Sequence, residues 1–379
     1  MIFDYATLKI IWWFFISALF IIFFILGGRD FGVCTLIPFV GKNDDERRML
    51  LNSIGPTWEG NQVWFVTAGG ATFAAWPLVY ATAFSGLYYA LFLVLLALIL
   101  RPPGMDYRSK LPKKSWRILW DCALFLSGFV PALVFGVGLG NLLLGLPFYF
   151  DENLQSHYEG GFFQLLNPFS VLFGLASVCI LSLQGGIFLQ NKLADPFALR
   201  VKKINRLLGW SFIALFIILG IWINVKLTGF HLQSIIDINQ PLIPLTKEVM
   251  ITQRGWAANF THYPWLWLFP IITLISIFLT MRASQKDHSF WGMMLCSIAI
   301  ITALGTVNAT LFPFIVPSST QPNHSLTVWD AVSSHRTLQY MFYVTVIFLP
   351  IVLAYTYWVF HVMRGKISTQ ETLSKQEAY

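Results

Sequence analysis

Charged residues are scarce in this sequence, and their scarcity limits the class of protein it can be. Asp, Glu, Lys and Arg make up 11% of the 379 residues, against roughly a quarter in ordinary soluble domains, whereas apolar residues make up 56%. This composition cannot supply the hydrated surface of a soluble enzyme or the dense basic patch of a nucleic-acid-binding domain. Both classes are excluded, and the composition is typical of a chain that lies mostly in lipid.

Cysteine and histidine are equally sparse. The four cysteines stand singly inside apolar runs without a C-x-x-C pair, so we predict neither a disulfide nor a zinc site. The seven histidines fall in loops or near the ends of predicted helices, and no helix carries Glu-x-x-His. We therefore predict that this chain has no metal site and no histidine-ligated haem of its own. The residues concerned are Cys34, Cys122, Cys179, Cys296, His157, His231, His262, His288, His324, His335 and His361.

Long apolar segments dominate what is present. A transmembrane helix needs about 20 mostly apolar residues, and nine segments are candidates: 8–28, 59–78, 80–100, 116–142, 164–189, 207–226, 263–281, 290–316 and 337–362. We therefore predict an all-α, polytopic integral membrane protein with nine transmembrane helices in a single transmembrane domain, 1–379. Glycines at helical spacing predict close contacts between helices; examples are Gly136, Gly138 and Gly140, and the pair Gly69 and Gly70.

Lys and Arg are distributed unevenly between the predicted loops. One alternating set comprises 41–56, 101–115, 190–206, 282–289 and the C-terminal tail; with one adjoining helix start it carries 19 of the 25 basic residues. The opposite set carries five. Because basic loops stay on the cytoplasmic side, the N-terminus is predicted outside and the C-terminus inside. The outer loop 227–262 is long enough to form a partly structured cap.

Ionisable residues within the predicted helices are few and lie toward the inner helix ends. Such groups are costly in lipid and indicate functional sites. A set of acids open to one side is typical of a half-channel that takes up protons from the cytoplasm. The alternative is structural, with Arg29 pairing with a neighbouring acid and the other side chains extending to the interface. The residues are Arg29, Asp30, Glu59, Arg101, Asp106 and Asp121.

One segment is too specific to be generic membrane sequence. It reads NSIGPTWEGNQVWFVTAGGATFAAWP over residues 52–77, and it is followed by FSGLYYALFLVLLALILRPPGMDYRSK at 84–110 and GNLLLGLPF at 140–148. These segments, in this order, resemble subunit II of the cytochrome bd-type quinol oxidases. The resemblance extends over essentially the whole chain.

The resemblance implies a fold and an activity. Subunit II of that family has nine helices, arranged as two four-helix bundles plus one further helix, in the bacterial cytoplasmic (inner) membrane. Its partner, subunit I, carries haem b, haem d and the quinol site. The complex oxidises quinol, reduces dioxygen to water and generates proton motive force without pumping. Membrane lipid, a structural quinone and a small single-helix accessory subunit are the further partners that the resemblance suggests.

The resemblance also assigns roles to particular residues. Glu59 occupies the acidic position of the W-[DE]-GNQVW motif, which lies on the family's proton path. Asp30 is the surviving acid of a DGFD-like sequence that here reads Gly-Gly-Arg-Asp. The introduced Arg29 is expected to pair with Asp30 or with Glu59. Arg101 and Asp106, which come from the set of ionisable residues described above and not from the resemblance, complete the predicted proton path.

Trp64 lies five residues beyond Glu59, about 7.5 Å along a helix, and therefore deeper in the membrane. The resemblance places a tryptophan at this position near an apolar oxygen route, and packing against neighbouring helices is the alternative. Two other functions stay open: a secondary transporter, although no midplane charge accompanies the helix-interrupting prolines, and a structural scaffold for a haem-bearing partner. A scaffold would tolerate a neutral isostere at Glu59.

Overall fold

Helices account for most of the molecule. The structure, a computed structural model, describes residues 3–193, 198–234, 237–363 and 365. The helices are α1 (Tyr5–Val40), α2 (Asp44–Ile54), α3 (Trp58–Ala75), α4 (Pro77–Gly86), α5 (Tyr88–Ile99), α6 (Arg101–Tyr107), α7 (Lys114–Leu144), α8 (Pro168–Lys192), α9 (Ala198–Val225), α10 (Ala258–His262), α11 (Leu268–Gln285), α12 (Ser289–Leu311) and α13 (His335–Val362).

Six short strands form three separate antiparallel pairs between the helices. These are β1 (Phe148–Phe150) with β2 (Ser156–Tyr158), β3 (Thr228–Leu232) with β4 (Val249–Gln253), and β5 (Phe314–Val316) with β6 (Leu326–Thr327). In the longest pair Phe230 lies opposite Ile251. The β3–β4 pair and α10 lie within the predicted loop 227–262, so that loop is partly structured, as expected.

Eight helical segments of the described chain are long and apolar enough to cross a membrane, which confirms a mostly helical, multi-pass membrane protein. The ninth expected span, 59–78, coincides with α3. Its polar first turn, with Glu59, Asn61 and Gln62, makes it less apolar than the others. The count of nine therefore stays a prediction. The eight segments are Tyr5–Val40, Tyr88–Tyr107, Lys114–Leu144, Pro168–Lys192, Leu199–Val225, Pro264–Gln285, Ser289–Leu311 and His335–Val362.

Several boundaries differ from the predicted ones. The first helix continues to Val40 rather than ending at residue 28. The expected span 80–100 is divided between α4 and α5. α4 starts at Pro77, a position where the missing proline N–H would have no partner within the helix in any case. The predicted inner loop 41–56 contains α2, whose first turn is capped by Asn43 accepting a hydrogen bond from the Glu46 N–H at 2.8 Å. Residues 194–197 of the predicted inner loop 190–206 lie outside the described residues, as does the predicted C-terminal tail apart from Met363 and Gly365.

Close contacts between helices centre on α8, which packs against α1, α7, α9 and α12. A methyl group on Gly32 of α1 would collide with the Leu181 carbonyl and lie 2.9 Å from the Gly185 backbone of α8. The predicted glycines Gly136 and Gly140 of α7 likewise abut α8. These small residues let the backbones approach closely, which is how helices associate in lipid.

A cap of loops covers one end of the helices and is fastened by two buried lysines. Lys9, near the start of α1, donates to the carbonyls of Ile238, Gln240 and Trp329 at 3.0, 3.1 and 2.7 Å. Lys247 forms an ion pair with Asp330 at 2.8 Å. Burial lowers the pKa of Lys247, although the neighbouring Asp330 opposes that shift. The cap is therefore tied to both α1 and the segment that precedes α13.

Candidate functional site

A buried polar cluster joins α1, α3, α6 and α7. Asp30 of α1 is almost fully buried, and its Oδ2 accepts a hydrogen bond from Asn61 Nδ2 of α3 at 2.9 Å. Arg101, the first residue of α6, is 0% exposed. Its Nη2 donates to the Ser127 carbonyl of α7 at 2.8 Å, and its guanidinium lies 4.9 Å from the centre of the Phe31 ring. Two residues of the predicted proton path, Asp30 and Arg101, are therefore brought to one site.

The charges of Asp30 and Arg101 attract each other without direct contact. Arg101 is close enough for electrostatic attraction to the Asp30 carboxylate, but in the described part of the chain Asp30 has no ion-pair partner within 4.0 Å. Several N–H groups around the cluster have no hydrogen-bond partner among the described residues, namely Arg101 Nε and Nη1, Trp58 Nε1 and Gln62 Nε2. Buried groups of this kind commonly bind internal water.

The first turn of α3 closes over this cluster on one side and faces outward on the other. Trp58 is buried, with the Arg101 guanidinium 6.0 Å from the centre of its ring. Glu59, the next residue, points about 100° further round the helix and is exposed. The predicted residues therefore separate into a buried pair, Asp30 and Arg101, and an exposed pair, Glu59 and Asp106.

The exposed face of α3 continues along the helix from Glu59. Val63, Val66 and Phe73 are 58%, 72% and 60% exposed, and no atom lies within 4 Å of a Cβ built on Gly69 or Gly70. The predicted glycine pair therefore does not pack against another helix of the described chain. The face combines a carboxylate, glycines and large apolar side chains.

Asp121 has a structural environment. Its Oδ1 lies 2.6 Å from Arg108 Nε, and its Oδ2 lies 2.6 Å from Arg47 Nη1. Arg108 also contacts Asp44 at 2.9 Å, and Asp44 in turn contacts Arg117 at 2.6 Å. Burial by itself would lower the pKa of Arg108, but the hydrogen bonds and charges of Asp121 and Asp44 raise it above its ordinary value. This ion-pair network joins α2 to the end of α6 and the start of α7.

Sequence reasoning missed Asn61 and the arginines that hold Asp121. Asn61 stands two residues after Glu59 within the motif, and a polar amide in an otherwise apolar helix could have marked it. Arg47 and Arg108 lie in predicted basic loops, where a sequence count of charge does not distinguish an ion-paired arginine from a hydrated one. Only contacts between distant parts of the chain reveal their partners.

Trp64 and Arg29 occupy different surroundings. Trp64 is buried in the apolar core on the inward face of α3. Arg29 is 8% exposed, and its guanidinium lies 6.0 Å from the ring of Phe188 and 5.4 Å from that of Phe360. The expected pairing of Arg29 with Asp30 or Glu59 is absent from the ion pairs of the described residues. Successive helical residues point about 100° apart, and Asp30 faces Asn61 instead.

The histidines do not fit a haem. They lie in β2 and β3, in α10, before the first turn of α12, in the segment before β6, and at the two ends of α13. An iron between helices needs axial ligands that project inward from within the bundle. None of the seven histidines is placed in the middle of a long helix.

A second feature is an apolar cavity of about 160 Å³ between α7, α8, α9 and α12. Its wall is almost entirely aliphatic and aromatic, with Phe212 and Leu304 among its residues. Its polar lining residues are Ser177, Asn224, Thr306 and Thr310, and Trp256 also forms part of the wall. Apolar cavities with a few polar groups are typical of ligand sites.

Comparison with known proteins gives consistent similarities. Residues 8–363 match the family described as cytochrome bd terminal oxidase subunit II. The chain is 43% identical over 368 residues to cytochrome bd-I ubiquinol oxidase subunit 2 of Escherichia coli K12, covering 97% of each chain. It is 42% identical over 364 residues to the probable cytochrome oxidase subunit 2 of Haemophilus influenzae, covering 96% of each.

A solved structure is similar in fold. A chain in the structure of bd oxidase from Geobacillus thermodenitrificans matches with a TM-score of 0.68 at 14% identity. The match covers 94% of this chain and 98% of that one. At this identity the likeness concerns the fold alone.

Proposed function

Because the chain belongs to the cytochrome bd terminal oxidase subunit II family, we propose that it supports a haem-bearing subunit I in a quinol-oxidising complex of the bacterial inner membrane. Each quinol gives up two electrons and two protons, and each dioxygen takes four electrons and four protons to form two waters. Quinol protons leave outside and the protons consumed come from inside, so proton motive force arises without pumping. The position of the histidines at helix ends and in loops supports placing haem b and haem d in the partner.

The outward face of α3 is proposed as part of the contact with subunit I. Lipid is a poor neighbour for Glu59, because a charged group facing hydrocarbon is costly. Gly69 and Gly70 leave room for another backbone to approach closely, as small residues do where membrane helices associate. Val66 and Phe73 supply apolar area on the same face. A protein partner satisfies all three features.

Proton uptake from the cytoplasm is proposed to begin at Glu59 and Asp106. Both carboxylates are exposed in this chain, and Glu59 lies in the first turn of α3, at the cytoplasmic edge of the proposed contact, so both can exchange protons with water. Trp58 and Asn61 flank Glu59 in sequence and face the buried cluster of Asp30 and Arg101. The buried N–H groups without a partner among the described residues support a hydrated connection between the exposed carboxylates and the buried cluster. The single observation that carries this proposal is the exposed Glu59 above a buried, hydrogen-bonded Asp30.

The remaining parts of the proposal concern oxygen access, a quinone and the arrangement of the helices. Trp64 is assigned to an oxygen route because it lies in an apolar core through which a small apolar molecule can pass. The cavity beside Phe212 is proposed to hold the apolar tail of a structural quinone. We further propose a single nine-helix domain of two four-helix bundles plus one helix, N-terminus outside and C-terminus inside, with lipid and a small single-helix accessory subunit as additional partners.

Substitution of Glu59 tests the proton role. In the purified complex, Glu59→Gln should lower oxygen consumption with excess quinol, normalised to haem d, by about 100-fold or more, the lower end of the range for loss of a positioned proton-transfer group. Glu59→Asp should retain most of the activity because it keeps the carboxylate. Trp64→Phe should be milder and should act mainly on the apparent oxygen affinity.

Asp45→Asn is the matched control, since Asp45 is an exposed acid of α2 outside the proposed path. Its turnover should equal that of the unmodified complex. Normal haem content in Glu59→Gln would separate a proton defect from failed assembly. Turnover at the normal rate in Glu59→Gln would reject the proton role and favour a structural scaffold.

A further inference from the structure

Arg29 is a buried cation whose partner is missing from the described chain. Its Nε has no hydrogen-bond partner among the described residues, and no carboxylate of that part lies within 4.0 Å of its guanidinium. The nearest acid, Asp30, attracts it from a distance but directs its carboxylate to Asn61. An unpaired cation at this depth is costly, and such groups normally pair with an anion.

A second cation, Lys192, lies near Arg29. Phe188, whose ring faces Arg29, precedes Lys192 by four residues on α8, so the lysine stands about 6 Å further toward the end of that helix. Lys192 and Arg29 are close enough to repel each other. The Lys192 ammonium donates to the carbonyl of Met363, just beyond the end of α13. The two cations therefore line one crevice between α1, α8 and α13.

The Arg29 guanidinium lies between two aromatic rings, and exposed aromatic side chains follow close by on α13. Phe188 and Phe360 flank the Arg29 guanidinium. Tyr357 and Trp358, one turn back on α13, are 72% and 59% exposed. Exposed Tyr and Trp near the end of a membrane helix are typical of the headgroup region. A ligand here would meet positive charge at its head and exposed apolar surface beside it.

We infer that the Arg29–Lys192 crevice binds the phosphate of an anionic phospholipid in the membrane leaflet that surrounds the C-terminal end of α13. Asp30 is attracted more strongly to Arg101 than to Arg29, so the two cations of the crevice keep a net positive charge that an anionic phosphate offsets. A guanidinium offers several N–H donors in a fork that suits phosphate oxygens. Basic pockets between membrane helices bind lipid headgroups in this way. The aromatic and aliphatic side chains of α13 would contact the acyl chains, which a free phosphate ion lacks.

Lipid binding to the purified two-subunit complex tests this inference. The complex is delipidated in detergent and titrated with phosphatidylglycerol, and bound lipid is counted by native mass spectrometry. We expect Arg29→Gln to weaken binding of the tightest phosphatidylglycerol at least tenfold. Lys192→Gln, a change at the half-buried rim of the crevice, should weaken the same binding severalfold and provides a second test should Arg29→Gln fail to assemble.

Arg282→Gln is the matched control, because Arg282 is an exposed arginine that also stacks on a phenylalanine, 5.2 Å from the Phe278 ring. It should leave the affinity unchanged within twofold. Phosphatidylcholine, which carries no net charge, and inorganic phosphate should each bind at least tenfold more weakly than phosphatidylglycerol. Equal binding of inorganic phosphate would overturn the lipid assignment. Unchanged phosphatidylglycerol affinity in both crevice variants would overturn the site itself.

Discussion

Replacing Asp121 with asparagine should loosen the segment that carries Arg101 and Asp106, without touching either residue. Asp121 is 5% exposed and accepts short bonds from Arg47 and Arg108. Asparagine keeps the shape and one acceptor oxygen but removes the charge. The Arg108 side chain, buried and fixed beside Asp44, would then lose its strongest partner.

The contacts of Asp121 set the expected free-energy cost of its replacement by asparagine. Removing one partner of a buried ion pair costs about 3–5 kcal/mol. Arg108 retains Asp44 at 2.9 Å, and the Arg47 side chain is 26% exposed and can be rehydrated. The cost should therefore fall at the lower end of that range, about 3 kcal/mol, which corresponds to about a 100-fold change in a local opening equilibrium.

Amide hydrogen exchange of the purified complex measures this opening directly. Peptides covering α2 and residues 104–110 should exchange about 100-fold faster in Asp121→Asn, where exchange reports local unfolding. Peptides from the cap around Lys247 should be unaffected. Asp45→Asn removes the same charge from an exposed position of α2 and should change little. Exchange in Asp121→Asn within threefold of the unmodified complex would refute the assignment of Asp121 to a structural network.

Three further outcomes are expected. The chain purified without its partner should have no haem absorption, and a stoichiometric haem spectrum would contradict the histidine argument. In intact cells, cysteines introduced at Ser156 and Asn239 should react with an impermeant thiol reagent and one at Ser109 should not; the reverse pattern would reject the predicted orientation. The hydrogen bond from Arg200 holds the pKa of Glu46 below its ordinary value of 4.5. The ionised Glu46 carboxylate should contribute its full stabilisation above pH 4.5, and this stabilisation should be lost as the pH falls through the lowered pKa that Glu46 has in the folded protein. The amides of α2 should therefore exchange faster in acid. Glu46→Gln should remove that part of the pH dependence.

Much of the architecture can be predicted from local properties of the sequence. The length and apolarity of a helix are local quantities, so eight predicted spans coincide with membrane-length helices. The motif around Glu59 is also continuous in sequence, which is why the family could be identified from it. The predicted span 59–78 coincides with α3, whose polar first turn distinguishes it from the eight membrane-length segments.

Boundaries were less predictable because burial extends beyond the lipid core. α1 continues to Val40 since its last turns pack against α2, α7 and α8 rather than facing solvent. Hydropathy alone ended this helix at Arg29 and Asp30, two charged residues that the fold buries. A charge interrupts an apolar pattern whether or not other helices later surround it.

The roles of the charged residues were decided by tertiary structure. Asp30, Asp121 and Glu59 are all carboxylates near predicted inner helix ends, and sequence alone could not separate them. The fold buries Asp30 against Asn61, surrounds Asp121 with arginines from two other segments, and leaves Glu59 facing outward. These differences depend on which helix faces are brought together over tens of residues. Hydropathy and spacing determine that helices form and where they lie in a membrane, whereas only their packing determines which charges meet.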